Sequence, residues 1–210
     1  MFTGIIQQTG TISEIKQIAD TTAIVISFEK PLNIKKGDSL NLNGICSTVT
    51  QFNKKSFSVE FMPETLNKTT AGSWKRGDNI NIEGSLSLSQ KLDGHLVTGH
   101  IDTTGEIINI KSVDLTKEFQ ISYPHELAKF IAFKGSITVD GVSLTISYLD
   151  EKYFSVSLIP YTLKNTILDQ KKQNDKVNLE VDIISRYLKR LFDERDKESN
   201  YEFLKERGFI

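Results

Sequence analysis

The chain has 210 residues, 38% of them apolar, and its 26 basic and 27 acidic side chains leave a net charge of −1. That balance gives no field to attract nucleic acid or an anionic membrane surface, so neither is an expected partner. A single cysteine excludes an internal disulfide, and no apolar stretch approaches the ~18 residues of a transmembrane helix. With no secretory signal at the N-terminus, we expect a cytoplasmic protein.

The two halves of the chain share four short motifs in the same order. The matched segments are 3–6 with 98–101, 44–49 with 141–146, 62–66 with 159–163, and 78–83 with 175–180. The spacing is about 95 residues for the first pair and about 97 for the others, which is typical of a duplicated domain. We therefore predict two homologous domains, residues 1–95 and 96–187, followed by a tail, residues 188–210.

Each half carries short runs that are typical of β-strands. Residues 55–61 alternate polar and apolar side chains, the pattern of a half-buried strand. Further strand-like runs are 25–28, 119–122 and 153–158, and glycine-containing turns fall at 36–38, 76–78 and 134–136. Short strands in units of this size predict an all-β fold of small closed barrels. Short helices are predicted at 63–68, 124–130 and 160–165, each of them opening on or beside a proline.

The tail has a different composition, because residues 183–209 are charged and helical in character. Ile184, Tyr187, Leu188 and Leu191 fall at the spacing of one apolar helix face. Such a face packs either on the protein's own barrels or on the same helix of other subunits, and the second arrangement makes a homo-oligomer.

The sequence lacks the phosphate-binding, dinucleotide-binding and nucleophile-elbow motifs of common enzyme classes. One cysteine and three histidines also disfavour a structural zinc site, so we expect no metal. Chemistry must then come from positions where the repeats differ. His100 stands opposite Ile5, Ser143 opposite Cys46, and Tyr161 opposite Glu64. Each is open to two interpretations: His100 is a proton carrier or a structural histidine, and Cys46 is a pocket residue or a small buried side chain.

Six segments together resemble the riboflavin synthase family of lumazine-binding double-barrel proteins. They are 1–6 (MFTGII), 43–50 (NGICSTVT), 62–66 (MPETL), 94–101 (GHLVTGHI), 140–145 (DGVSLT) and 159–163 (IPYTL). Any one of them is a weak signal, but all six in order within a duplication are specific. The resemblance runs from Met1 to about Leu191.

This resemblance implies two tandem six-stranded Greek-key β-barrels with a C-terminal α-helix, assembled through that helix as a homotrimer. It implies a transferase of riboflavin biosynthesis that uses no cofactor. Two molecules of 6,7-dimethyl-8-ribityllumazine would exchange a four-carbon unit to give riboflavin and 5-amino-6-ribitylaminouracil. Each active site would lie between the N-terminal barrel of one subunit and the C-terminal barrel of its neighbour. Lumazine synthase is a candidate partner on the same ground.

Site residues follow from the same resemblance, position by position. His100, Cys46, Ser143 and Phe2 are the candidates that matter to turnover. Candidates lining the first pocket are Gly4, Ile5, Ile6, Cys46, Ser47, Thr48, Met62, Pro63, Glu64, Thr65, Gly99, His100 and Ile101. Candidates lining the second are Lys134, Ser143, Leu144, Thr145, Leu158, Ile159, Pro160, Tyr161, Thr162 and Leu163. Ser39, Glu64 and Thr65 are candidates for contacting the ribityl chain.

The sequence departs from the family's pattern at Ser47, where leucine is usual, and at Tyr161, where glutamate or histidine is commoner. A buried serine must find a hydrogen bond or loosen the first pocket.

The rival interpretations are a non-catalytic fluorescent antenna protein that binds one lumazine or flavin on the same fold, and a β-barrel interaction module that binds neither.

Overall fold

The computed structural model describes residues 1–198, 205, 207 and 208. Its first barrel is closed by six antiparallel strands, which neighbour one another in the order β1-β2-β5-β4-β3-β6 and back to β1. The strands are β1 (Gln8–Ile18), β2 (Thr21–Phe28), β3 (Ser39–Leu42), β4 (Ile45–Phe52), β5 (Ser56–Phe61) and β6 (Asn79–Gly84).

The second barrel repeats this topology. Its strands are β7 (Thr103–Val113), β8 (Thr116–Ser122), β9 (Ser136–Val139), β10 (Val142–Leu149), β11 (Tyr153–Leu158) and β12 (Lys176–Val181). Around the barrel they follow the order β7-β8-β11-β10-β9-β12, the order of the first barrel shifted by six strands. The predicted pair of six-stranded barrels is therefore confirmed, and the sequence repeat is also a repeat of topology.

Each barrel encloses its own apolar core because its strands alternate in burial. In β2 every second residue is buried, so Ile24, Ile26 and Phe28 point inward while their neighbours face outward.

The hydrogen-bonded strand pairing is also interrupted at matching places in the two barrels. The register shifts between Ile12 and Glu14 in β1 and between Ile107 and Asn109 in β7. Such bulges sharpen the local twist that a small closed barrel requires.

The helices fall close to the predicted positions. The predictions at 63–68 and 160–165 are confirmed as α1 (Pro63–Lys68) and α2 (Pro160–Asn165), whereas the predicted helix at 124–130 is a 3-10 helix, His125–Phe130. The C-terminal helix, α3 (Ile183–Glu198), begins before the predicted tail boundary at residue 188. Its predicted continuation to residue 209 lies mostly outside the described residues. None of the helices described in the chain combines the length and apolar character needed to cross a lipid bilayer.

The α3 helix is tied to the second barrel at its beginning. The guanidinium of Arg186 forms an ion pair with the Asp102 carboxylate and also lies over the ring of Phe130. The apolar face of the helix is nevertheless uncovered in the single chain. The exposed members of that face are Ile184, Tyr187, Leu188, Leu191 and Phe192, each with 49% or more of its surface in solvent.

The two barrels meet in a polar interface with approximate twofold symmetry. The Asn81 side-chain amide donates to the backbone carbonyl of Asp140, and the equivalent amide of Asn178 donates to the carbonyl of Asn43, at 2.9 and 2.8 Å. Each asparagine side chain is fully buried. Because a buried amide without partners is expensive, this exchange fixes how one barrel sits on the other.

The segments that precede β1 and β7 cross between the barrels. Phe2 and Val97 pair in an isolated antiparallel bridge, with Phe2 N–H to Val97 O at 2.7 Å, and both side chains are completely buried. The start of each repeat is thus anchored against the start of the other, and this pairing sets the geometry of the site.

Candidate active site

The first group of predicted site residues assembles around Cys46 of β4. The Cys46 N–H donates to the Gly99 carbonyl at 2.9 Å, so the segment that leads into the second barrel lies along the first. Gly99 has φ +81°, and a Cβ built on it would be 2.6 Å from Cys46 Cβ. Only glycine fits this approach, and it leaves the next residue, His100, exposed beside the half-buried Cys46.

Other predicted residues join this first site along β3 and β4. Ser39 pairs with Thr48 across the strands, and Thr48 lies on the same strand face as Cys46. The Cδ1 atom of Ile101 lies within 2.9 Å of the place that a Cβ on Gly44 would take, which fixes the chain beyond His100.

The second group assembles in the same way around Ser143 of β10. The Ser143 N–H donates to the Gly4 carbonyl at 2.8 Å, and a Cβ on Gly4 would lie 2.6 Å from Ser143 Cβ. Ile6 packs against the core of the second barrel. We expected Gly4, Ile5 and Ile6 in the first pocket, but the structure places Gly4 and Ile6 against the second barrel, because the N-terminal segment crosses over to it.

His95 also lies in the second group, although the repeat motifs do not single it out. Its Nδ1 lies 2.7 Å from Ser143 Oγ and its Nε2 lies 3.2 Å from Thr138 Oγ1. The residue is buried, with 8% of its surface exposed, and its backbone N–H donates to the Thr3 carbonyl. A hydroxyl in contact with a buried imidazole is a pair suited to moving a proton. In the first barrel, Asn41 occupies the position of Thr138, and its side-chain amide donates to Glu83 instead.

Burial lowers the pKa of His95, and the negative charge of Asp182 only partly opposes this. A histidine whose pKa is lowered on folding stays neutral in the folded chain at pH values at which the unfolded chain already binds a proton. Below the unfolded value of about 6.5, the unfolded state therefore binds more protons, and the free energy of unfolding decreases as the pH falls, by up to about 1.4 kcal/mol per pH unit.

We expect His95→Gln to remove this dependence. Urea unfolding between pH 5 and 8 should give a shallower decline below pH 6.5 for the variant than for the parent chain. His125→Gln is the matched control, because His125 is exposed and its replacement should leave the slope unchanged. Parallel curves for the parent and His95→Gln would contradict a neutral buried imidazole.

Four predicted residues have buried side chains. Phe2, Leu158 and Leu163 are buried in the interior, with 0%, 0% and 9% of their surface exposed. A side chain without exposed surface cannot touch a ligand, so Phe2, predicted to be catalytic, positions the two crossing segments instead. Ser47 is also buried on the inner face of β4, and its hydroxyl donates to the Ile45 carbonyl at 3.1 Å. This hydrogen bond satisfies the buried hydroxyl of the serine that stands where leucine is usual.

The remaining predicted residues lie on the surface around the two sites. Ile5, Met62, Ile159 and Tyr161 expose between 44% and 74% of their surface. Glu64 of α1 forms an exposed ion pair with Lys68, which lowers the pKa of the carboxyl group through a hydrogen bond and charge attraction. Leu144 packs on the core of the second barrel, and Lys134 is exposed, with its amino group above the Phe133 ring. The other lining candidates on or near these elements are Pro63, Thr65, Thr145, Pro160 and Thr162.

Large apolar side chains in solvent beside a candidate site indicate a surface that is completed by another molecule. Within the described residues, no group of three or more His, Cys, Asp or Glu side chains comes together in a way that could hold a metal ion.

Comparison with protein families matches the model for the lumazine binding domain twice, at residues 3–85 and 98–182. The chain is 40% identical to riboflavin synthase of Bacillus subtilis (strain 168) and 39% identical to that of Actinobacillus pleuropneumoniae, with complete coverage of both proteins in each case. It is 37% identical to riboflavin synthase of Schizosaccharomyces pombe over 91% of this chain and 93% of that one.

Among solved structures, the chain resembles LumP in complex with riboflavin, with a TM-score of 0.80, and LumP in complex with 6,7-dimethyl-8-(1'-D-ribityl) lumazine, with a TM-score of 0.78. The sequence identity is 24% in both, over 86% of this chain and 99% of LumP. At that identity the likeness establishes the fold alone.

Proposed function

The chain belongs to the riboflavin synthase family of lumazine-binding proteins, and we propose that it catalyses the dismutation of two 6,7-dimethyl-8-ribityllumazine molecules. One molecule transfers four carbons, its C6, its C7 and their two methyl groups, to the other. The products are riboflavin and 5-amino-6-ribitylaminouracil. Atoms and electrons balance between two substrates and two products, so the reaction requires no co-reactant.

The observation that carries this proposal is the pair of equivalent sites. Cys46 meets Gly99 and Ser143 meets Gly4 through the same N–H to carbonyl bond, at 2.9 and 2.8 Å. A reaction between two copies of one molecule needs two related binding surfaces. Holding both copies in the reacting orientation turns a bimolecular encounter into a step within one complex, an advantage of about 7–11 kcal/mol in well-oriented systems.

Differences between the two sites then allow the two substrates to have different roles. A proton must leave the 7-methyl group of one lumazine, and water or hydroxide adds at C7 of the other. The ring system already acidifies the methyl group, so the protein supplies orientation and modest acid–base assistance. The exposed imidazole of His100 at the first site and the Ser143–His95 pair at the second are the groups able to hold or move that proton.

The active unit that we propose is a homotrimer joined through α3, with each complete site formed by the first barrel of one subunit and the second barrel of its neighbour. The uncovered apolar face of α3 and the exposed apolar side chains around both sites support this assembly. We place the enzyme in the cytoplasm, where lumazine synthase, which makes the substrate, is a candidate partner.

The antenna function is the second candidate, because LumP, which shares the fold, is solved in complex with lumazine and with riboflavin. Mixing the purified protein with 6,7-dimethyl-8-ribityllumazine separates the two functions. The enzyme converts the ligand, and the absorbance of riboflavin appears without any added cofactor. An antenna protein binds the ligand and leaves it unchanged, with steady fluorescence.

We expect His100→Ala to lower kcat by about 100-fold, the size of an ordinary acid–base contribution, with the fold unchanged. Steady-state riboflavin formation measures the effect. His125→Ala is the control, because that imidazole is also exposed but lies in the 3-10 helix of the second barrel. Equal rates for the two variants would remove His100 from the reaction.

A further inference from the structure

Two buried carboxylates hold the glycine turns that form the sites. Glu180 of β12 has 2% of its surface exposed and accepts three hydrogen bonds from the turn that begins the second repeat. The Thr98 N–H and hydroxyl donate to its Oε1 at 2.7 and 2.6 Å, and the Gly99 N–H donates to its Oε2 at 3.0 Å. The same Thr98 hydroxyl accepts from the His100 N–H at 3.3 Å, so the carboxylate is linked to His100 through one side chain.

Glu83 of β6 does the same for the turn that begins the first repeat. The Thr3 N–H and hydroxyl donate to its Oε1 at 2.7 and 2.6 Å, and the Gly4 N–H donates to its Oε2 at 3.1 Å. The Thr3 hydroxyl accepts from the Ile5 N–H at 3.2 Å. The Asn41 amide adds a fourth donor to Glu83, at 3.2 Å.

Both turns present their glycine to the other barrel. Glu180 belongs to the second barrel, but the Gly99 that it holds bonds to Cys46 of the first. Glu83 belongs to the first barrel, but the Gly4 that it holds bonds to Ser143 of the second. The last strand of each barrel therefore reaches the predicted site on the opposite barrel through one carboxylate and one turn.

We propose that Glu180 is the positioning residue of the first site and Glu83 that of the second, so that each barrel sets the geometry of the site on the other barrel. The assignment of these sites to the reaction rests on the proposed function. The groups that contact each carboxylate are all donors, and a carboxylate accepts from all of them at once. An amide in its place puts an N–H against a backbone N–H, which releases the turn.

The lone cysteine reports on the first site without any ligand. Cys46 is half-buried, and Gly99 lies against it with no room for a methyl group. We expect Glu180→Gln to raise the rate at which a small aromatic disulfide reagent modifies the Cys46 thiol, by about tenfold. Glu83→Gln is the matched control, with the same burial and the same threonine and glycine donors, and it should change that rate by less than about twofold.

Turnover supplies the second readout. Both variants should lower kcat for riboflavin formation, whereas only Glu180→Gln should change the thiol rate. Equal thiol rates in the two variants, or an unchanged rate in Glu180→Gln, would overturn the crossed arrangement. The thiol reaction needs no lumazine, so a protein that makes no riboflavin would contradict the proposed function and still leave this test decisive.

If Glu180→Gln fails to fold, Thr98→Val takes its place, because valine keeps the shape of threonine and loses the hydroxyl that joins Glu180 to His100. It should raise the thiol rate, and Thr98→Ser, which restores the hydroxyl, should return the rate to that of the parent chain. A merely structural role for Glu180 predicts no such rescue. Failure of Thr98→Ser to restore the rate would contradict the proposal.

Discussion

Replacing both Leu188 and Leu191 of α3 with aspartate should give a monomer and lower riboflavin formation by about 100-fold or more. The two side chains expose 49% and 58% of their surface in the single chain, so the barrels do not depend on them. Aspartates on this face would have to be buried as unpaired charges if the helices packed together, which strongly disfavours assembly. Because each complete site is proposed to span two subunits, loss of assembly should separate the two surfaces that hold the reacting lumazines.

Light scattering after size-exclusion chromatography measures the mass, and a thermal melt shows that the barrels persist. The change leaves the Arg186–Asp102 ion pair in place, so α3 stays attached to its own barrel. Leu115→Asp is the control, because Leu115 is 79% exposed in the hairpin between β7 and β8 and lies outside the α3 face. A monomer with full activity would contradict a site shared between subunits.

Gly99→Ala should nearly abolish turnover by pushing the crossing segment away from Cys46. The added methyl would lie 2.6 Å from Cys46 Cβ and 2.8 Å from its backbone nitrogen, so either the crossing segment or β4 must move. Overpacking of this kind destabilises by about 1–3 kcal/mol. The positive φ adds about 1 kcal/mol more. We expect the free energy of unfolding to fall by about 2–4 kcal/mol and kcat by at least about 100-fold.

Gly77→Ala isolates the backbone contribution in this experiment. Gly77 has φ +95°, close to that of Gly99, yet a Cβ there meets nothing within 4 Å. It should lose about 1 kcal/mol of stability and keep its activity. Urea unfolding and steady-state rates measure both variants. If Gly99→Ala behaved like Gly77→Ala, the close approach to Cys46 would have no functional consequence.

The architecture could be predicted because a duplication repeats every signal. The match between residues 44–49 and 141–146 falls on β4 and β10, and the match between 78–83 and 175–180 falls on β6 and β12. The prolines that open α1 and α2 marked those helices correctly. Strand and helix starts depend on local chemistry, so the sequence carries them directly.

The repeat pattern did not predict that the N-terminal segment crosses to the second barrel. Similarity between residues 3–6 and 98–101 shows that both segments do the same thing, but not which barrel each one contacts. The resemblance led us to expect Gly4 in the first pocket, whereas its carbonyl accepts a hydrogen bond from the Ser143 N–H. Exchange between barrels is a tertiary choice, fixed here by the bridge between Phe2 and Val97, and no local propensity encodes it.

The sequence did not indicate that His95 lies beside Ser143, for a related reason. The motif match between the repeats begins at Thr98, so the comparison that singled out His100 says nothing about His95. Its partners, Ser143 and Thr138, lie more than 40 residues away in the chain. Glu83 and Glu180 did carry a signal, since an acidic residue recurs at matching positions of the repeated strands β6 and β12. A charge repeated at a buried position indicates a conserved set of partners within the duplication.

The stoichiometry of turnover shows whether two lumazines react with each other on one protein. Purified protein is mixed with a known quantity of 6,7-dimethyl-8-ribityllumazine, without any other organic reactant, and substrate and products are quantified by chromatography as the reaction proceeds. We expect two lumazines to be consumed for each riboflavin formed, with 5-amino-6-ribitylaminouracil released in equal amount. A lumazine that stays bound and unconverted, or riboflavin formed without the uracil product, would contradict it.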